Sequence, residues 1–468
     1  MPDKGSTDGP APKSHGSSES PEPPESNGSP ESLASTGLLT DRYEFTMVRA
    51  ALRSGAASRR AVFEMFARQL PGRRRYGIVA GTGRFLRALQ AYRFSRADIE
   101  YLRRAGVIDE ATAAFLASYR FTGSIWGYGE GDCYFPGSPI LVVDGTFAEA
   151  VVLETLALSI FNHDCAVASA ASRMVSAAAG RPVIEMGSRR THERGAVAAA
   201  RAAFISGFAT TSNLRAGFEF GVPTAGTSAH AFTLVHDDER QAFCVQLESL
   251  GPETTLLVDT FDVPTAVRTA VELAGSSLGA VRIDSGDVKE VATSVRAQLD
   301  SLGATATRIV VTGDLDEYAI AALADAPIDG YGVGTALVTG SGAPTAALVY
   351  KLVARSTGRG PVRPVAKRSV GKPTMGGRKW AARSLSDAGI ATAEIVSLAP
   401  PAGKPGLRPL LRQLVRDGAI IGTEPLEAAR VRHASTLGEL PANARESNPG
   451  GPVIPTLFER QSPSGSDS

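Results

Sequence analysis

The fold this sequence predicts is an irregular β/α barrel joined to an N-terminal α+β domain. Three observations carry that expectation. Seven apolar, β-prone runs follow one another between residues 151 and 350, with helical stretches between several of them. Each run stops abruptly at glycine, serine, threonine, aspartate or arginine. The residues before them mix helical periodicity with glycine- and proline-punctuated β-formers. Repeating strand–helix units imply parallel strands with helices outside. Seven strands fit an irregular barrel better than the alternative, a doubly wound sheet. Either arrangement places ligands at the polar carboxyl ends of the strands.

Residues 1–35 are serine, proline, glycine and glutamate with almost no apolar side chains, so a disordered tail is expected there. Residues 36–150 form the expected α+β domain. It begins with a helix in "LLTDRYEFTMVRAALRSG", with Thr40 or Asp41 as cap and Gly55 as its end. A β-prone stretch, "RRAVFEMFARQLP", and two helical ones, "GTGRFLRALQAY" and "SRADIEYLRRAGV", follow. "SIWGYGEGDCYFPGSPILVVDGTFAEA" reads as β-hairpins. The barrel, residues 151–350, contains "PVIEMGS", "AFISGFATTSN", "VPTAGTSAHAF", "TTLLVDTF", "AVRIDSGD", "RIVVTGDLD" and "IDGYGVGTALVTG" as strands, with "DVPTAVRTAVELAG" and "KEVATSVRAQLDSLG" as helices. Residues 351–445 carry short strands and a helix near 424–432, forming a third domain or completing the first. A flexible tail is expected over 446–468.

Composition narrows the function classes. Lys plus Arg number 49 and Asp plus Glu 48, a net charge of +1, so nothing favours general binding to nucleic acid or membrane. A charged ligand must be held by local cations. Cys133, Cys165 and Cys244 include no CxxC and are odd in number, which argues against a disulfide framework or structural zinc. The chain opens on no signal-peptide pattern, and no uninterrupted apolar run is long enough to span a bilayer. A soluble cytoplasmic protein is expected.

Several strand ends offer chemistry. In "VRIDSGD", Arg282 can meet a carboxylate or phosphate with a two-point fork, and Asp284 can hold a sugar hydroxyl or hydrated magnesium. A capped helix start with a surface ion pair explains the same residues. "GYGVGT" sets Gly332 and Gly334 before Thr335, either a backbone cradle for an oxyanion or a tight turn. Arg189 and Arg190 of "EMGSRRTHE" are phosphate-neutralising candidates or solvated side chains. Tyr43 is a packed helix residue or an exposed aromatic for a ligand. His163 and Asp164 lack the further ligands of a metal site. His230 follows a small turn at a strand end, where a structural imidazole and a reactive one are both open.

Taken in order, "TDRYEFTM", "FEMFARQLP", "GDCYFPGSPILVVDG", "EMGSRR", "GFATTSNLRAG", "VPTAGTSAH", "VRIDSGD" and "GYGVGTALVT...YKLV" resemble the nicotinate phosphoribosyltransferase family over roughly residues 38–380. The resemblance implies a type II phosphoribosyltransferase-like fold. It also implies condensation of nicotinate with 5-phosphoribosyl 1-diphosphate to nicotinate mononucleotide and diphosphate, coupled to ATP hydrolysis, in pyridine nucleotide salvage toward NAD. The family's phosphorylatable histidine falls on His230. Tyr43 matches a tyrosine that stacks on the pyridine ring from the neighbouring subunit, which implies a homodimer with shared sites. Thr227 and Arg282 match nicotinate contacts, while Arg189 or Arg190 and Thr335 match phosphoribosyl diphosphate contacts. Magnesium is implied as a cofactor held mainly through substrate phosphates, so no protein metal-ligand motif is expected. Nicotinamide-using relatives carry an aspartate where this chain has Asn213, and its loss removes a charge that would repel a carboxylate. Two alternatives are a nicotinamide phosphoribosyltransferase and a non-catalytic nucleotide-binding relative. "KRSVGKPTMGGRKW" matches the family only loosely, and the C-terminal region diverges from it.

Overall fold

The computed structural model describes residues 35–459, apart from 359, 368–374, 402 and 404. The expected tail therefore lies outside the described residues up to 34, as does the end of the chain from 460.

Two sheets organise the molecule. The first has seven strands, in the order Val362–Pro364, Leu348–Ser356, Arg60–Ala67, Leu141–Thr146, Ser124–Gly127, Arg412–Arg416, Ala419–Ile420, and its pairs are antiparallel. Strands that follow the barrel thus extend a sheet begun before it. Arg60–Ala67 sits inside this sheet and buries both faces from Ala61 to Met65, which is why its sequence runs apolar rather than alternating. The hairpin expected over 124–150 pairs Ser124 with Asp144 and Gly127 with Leu141, while Cys133–Tyr134 leaves it to pair with Gly77–Ile78.

The second sheet is parallel: Thr210–Thr211, Val183–Glu185, Gly330–Val333, Arg308–Val311, Ala280–Ile283, Thr255–Leu257. A single parallel bridge, Thr211 to Thr224, adds the seventh expected strand. In chain order the seven run as a ring cut once, between Thr224 and Thr255. This is the irregular barrel. Its helices bury one stripe each against the strands; Val263–Ala274, for example, buries Ala266, Val267, Ala270 and Val271.

Two expectations need correcting, and one long helix is added. "AFISGFATTSN" is not one strand: Glu193–Ile205 is a helix, and only Thr210–Thr211 is extended. The alanine-rich helix Glu154–Ala177 was invisible to a search for amphipathic stripes because almost every residue from Cys165 to Met174 is buried. Its first half packs in the core of the first sheet, through Leu156 and Phe161, and its second half in the barrel core, through Ala168 and Met174. The same segment, Phe147–Ala177, is long and apolar enough by composition to cross a membrane, although 67% of its richest window is buried inside this structure. Finally, the chain after 446 is not all tail. Ile454 is buried, and Thr456–Phe458 pairs in parallel with Ala391–Ser397.

Candidate functional site

Every parallel strand delivers polar residues to one rim, and each does so within a few residues of its carboxyl end. Val183–Glu185 leads to Ser188 and Arg189, and Thr210–Thr211 to Asn213. The Thr224 bridge leads to Thr227 and His230, and Thr255–Leu257 to Asp259 and Thr260. Ala280–Ile283 holds Arg282 and ends at Asp284; Arg308–Val311 ends at Thr312; Gly330–Val333 ends at Gly334 and Thr335.

Arg282 ties two of these ends together. Its Nη1 donates to Thr227 Oγ1 at 2.5 Å and to the Ser228 carbonyl at 3.1 Å. Its Nε is buried and meets no acceptor. The guanidinium edge formed by Nε and Nη2 therefore carries an unsatisfied donor among the described residues, and a planar oxyanion would meet that edge in the two-point geometry a carboxylate fits. Burial lowers the Arg282 pKa, Asp284 and Asp259 raise it, and Arg189 lowers it again. Arg189 is thus near enough for its charge to reach Arg282. Both Arg189 and Arg190 are exposed.

His230 opens the short helix His230–Leu234, and its side chain is 40% exposed. Nδ1 lies 3.1 Å from Thr260 Oγ1. Nε2 lies 3.9 Å from Asp259 Oδ1 and 4.0 Å from Asp284 Oδ2. Asp259 is buried; its Oδ2 accepts from the Asp284 amide at 2.8 Å and Ser285 Oγ at 2.7 Å, whereas its Oδ1 has no hydrogen-bond partner. Thr312 Oγ1 donates to Asp284 Oδ1. Asp259, Thr260 and Thr312 were not singled out in the sequence. The signal existed, since "LLVDTF" and "VVTGD" end as polar strand tips like the others.

The remaining predicted residues are placed as follows. Asn213 caps the helix Leu214–Phe220 by accepting from Ala216 N, and its amide donates to Ser188 Oγ at 2.9 Å. Gly332 lies inside a buried strand, where a Cβ would stand 2.5 Å from Thr312 Cγ2 and 2.8 Å from Met186 Sδ. Its visible role is therefore close packing. Gly334 precedes the short helix Thr335–Val338, and its carbonyl oxygen would lie 3.0 Å from a Cβ at Gly187, so these two strand ends touch through glycine. Thr335 is exposed. Tyr43 stands apart from this rim on the helix Arg42–Ser54, 45% exposed; burial of its hydroxyl, with Glu154 and Glu44 nearby, pushes its pKa up to about 12. Asp164 is bonded by Arg84 at 2.6 Å and His163 at 2.8 Å.

A separate cavity of about 540 Å³ includes Arg87, Glu130, Arg201, Glu219, Arg412 and Glu424 in its lining. Its charges already neutralise one another, Arg201 on Glu130 at 2.6 Å and Arg412 on Glu424 at 2.6 Å. The rim differs: among the described residues Arg189, Arg190 and Arg282 form no ion pair.

Comparison with known proteins points the same way. Residues 38–162 match the family described as nicotinate phosphoribosyltransferase (NAPRTase) N-terminal domain. The chain is 57% identical over 442 residues to nicotinate phosphoribosyltransferase pncB1 of Mycobacterium tuberculosis (strain CDC 1551 / Oshkosh), covering 92% of this chain and 96% of that protein. It is 36% identical to the nicotinate phosphoribosyltransferase of Bacillus subtilis (strain 168), over 68% of this chain and 67% of that one. Among solved structures it is similar to human nicotinic acid phosphoribosyltransferase, with a TM-score of 0.77 and 25% identity, covering 90% of this chain and 97% of that chain.

Proposed function

The chain belongs to the nicotinate phosphoribosyltransferase family, and from that premise we propose that its chemistry takes place at the rim where Arg282, His230 and Asp259 meet. The enzyme joins nicotinate to 5-phosphoribosyl 1-diphosphate. The observation that carries the placement is the unsatisfied Nε donor of Arg282, whose guanidinium is fixed by the Thr227 and Ser228 bonds.

The nicotinate carboxylate docks on that edge, and the ring nitrogen then attacks the anomeric carbon as diphosphate leaves. The nucleophile is on the substrate, so no protein base is needed, and positioning does most of the work. Negative charge builds on the departing diphosphate. Arg189 and Arg190, exposed and without ion pairs among the described residues, stabilise it there, with Thr335 and the Gly334 turn on the adjacent strand end. Asp284 Oδ2 makes no hydrogen bond among the described residues and faces the same space, which suits a hydrated magnesium held otherwise by phosphate oxygens. Magnesium, when bound, supplies charge neutralisation at the diphosphate.

His230 accepts the ATP γ-phosphoryl group. The buried, unpartnered Asp259 Oδ1 calls for a donor, and Nε2–H of His230 is the group that faces it. In that tautomer the Nδ1 lone pair accepts from Thr260 Oγ1, 3.1 Å away, and becomes the nucleophile when that hydroxyl turns aside. The Nδ1–P bond forms as the bond to the β-phosphate oxygen breaks, ADP departs, and Nε2 keeps its proton against Asp259.

The site is completed by a second copy. Leu214, Phe218, Leu234, Val235 and Phe261 are more than 60% exposed around the rim, an apolar surface that a partner subunit would cover. The exposed Tyr43 ring of that partner stacks on the pyridine. Mixing His230→Ala and Tyr43→Ala chains tests this arrangement, and product formation from nicotinate against nicotinamide tests the substrate reading.

A further inference from the structure

Behind Asp259 stands a carboxyl group to which neither the mechanism nor the family comparison gives work. Glu239 begins the helix Glu239–Leu250, whose N-cap, Asp238, already satisfies the Gln241 amide with its own side chain. Glu239 is therefore not needed as the cap. Its Oε1 is buried and has no hydrogen-bond partner. Its charged neighbours are Asp262, which caps the next helix, and Asp259. No cation among the described residues pairs with it. The helix Glu239–Leu250 packs on the helix His230–Leu234, and Asp259 and Glu239 each hold a buried oxygen without a donor among the described residues.

We propose that Glu239 is a positioning residue for the phosphoryl-accepting histidine, its negative charge acting through Asp259 to stabilise the cationic ring of the phosphorylated imidazole. This rests on the reading of His230 given above. When Nδ1 takes the phosphoryl group and Nε2 keeps its proton, the ring carries positive charge. Asp259 meets that charge directly. Glu239 adds a second negative charge in a region where burial weakens solvent screening, and it opposes any transfer of the Nε2 proton to water. Burial, then Asp262 and Asp259, push the Glu239 carboxyl up to about 7. Positive charge arriving on the imidazole therefore favours its ionised form.

The test uses the full-length chain and γ-labelled ATP, with acid-free quenching and measurement of labelled protein at steady state. Glu239→Gln keeps the shape and removes the charge; Glu239→Asp keeps the charge. The expected result is a phosphoenzyme level lowered roughly fivefold in E239Q, largely restored in E239D, with the KM for ATP unchanged and the melting temperature no lower than that of the wild type. Equal labelling of wild type and E239Q overturns the inference. So does an equal loss in E239Q and E239D, which would make the effect one of packing. Absence of label in the wild type removes the phosphohistidine reading itself, and this inference falls with it.

Discussion

Arg282 Nη1 donates to Thr227 Oγ1 at 2.5 Å, and this bond orients the guanidinium so that Nε has no protein acceptor. A buried donor without a partner costs free energy unless a ligand supplies one. The pair therefore links the turn that leads to His230 to the arginine proposed to read the substrate's charge.

Arg282→Ala should lower kcat/KM for nicotinate by roughly 10- to 100-fold, the range for losing a charge-assisted, two-point bond. The loss for nicotinamide should be smaller. Arg282→Lys should recover little, since an ammonium cannot present a planar fork. Steady-state assays with both bases check this, and equal losses would count against direct carboxylate pairing.

With ATP present, Tyr43→Ala and His230→Ala should each fall far below wild-type turnover alone, His230→Ala keeping only its slow ATP-independent rate. Unfolded and refolded together in equal amounts, they should regain up to about a quarter of wild-type turnover, because half the dimers are mixed and each holds one intact site. No recovery would argue that each chain builds its own site.

His433 is buried, its Nε2 2.8 Å from Ser172 Oγ, and burial together with Arg430 pulls its pKa down from 6.5 to about 4. The unfolded chain takes up the proton first, so stability is lost as pH falls from about 6.5 toward 4. The melting temperature of His433→Asn should depend less on pH in that window than that of the wild type, by the equivalent of about 1–3 kcal/mol.

Glu44 has the opposite sign. Burial raises its carboxyl from 4.5 to about 8, against the Thr155 bonds, which lower it. Folded protein holds this proton more tightly than the unfolded chain, so stability is lost as pH rises through that interval. Glu44→Gln keeps an acceptor for the Thr155 amide, 2.8 Å from Oε1. It should therefore melt higher than wild type above pH ~8 and about equally at pH ~5, as thermal denaturation at the two pH values would show.

Much of this site was legible because strand ends in a parallel barrel are punctuated. Asp284, His230 and Arg282 each lie where an apolar run stops; the structure brings His230 Nε2 within 4.0 Å of Asp284 Oδ2, and Arg282 bonds Thr227 and Ser228 just before His230. Asp259 obeys the same punctuation and was passed over, since its importance comes from an orphaned oxygen that only three-dimensional packing creates. The helix Glu154–Ala177 was illegible for the converse reason: buried on nearly all sides between two cores, it shows no polar stripe to set a period. The glycines after Gly330 read as an oxyanion cradle, yet Gly332 packs against Thr312 and Met186, a contact no local pattern reveals.

The most direct test follows nicotinate mononucleotide formation by wild type and His230→Ala, each with and without ATP. ATP should accelerate the wild type and leave His230→Ala at its slower, ATP-independent rate. Acceleration of His230→Ala to the same extent as the wild type would contradict that expectation.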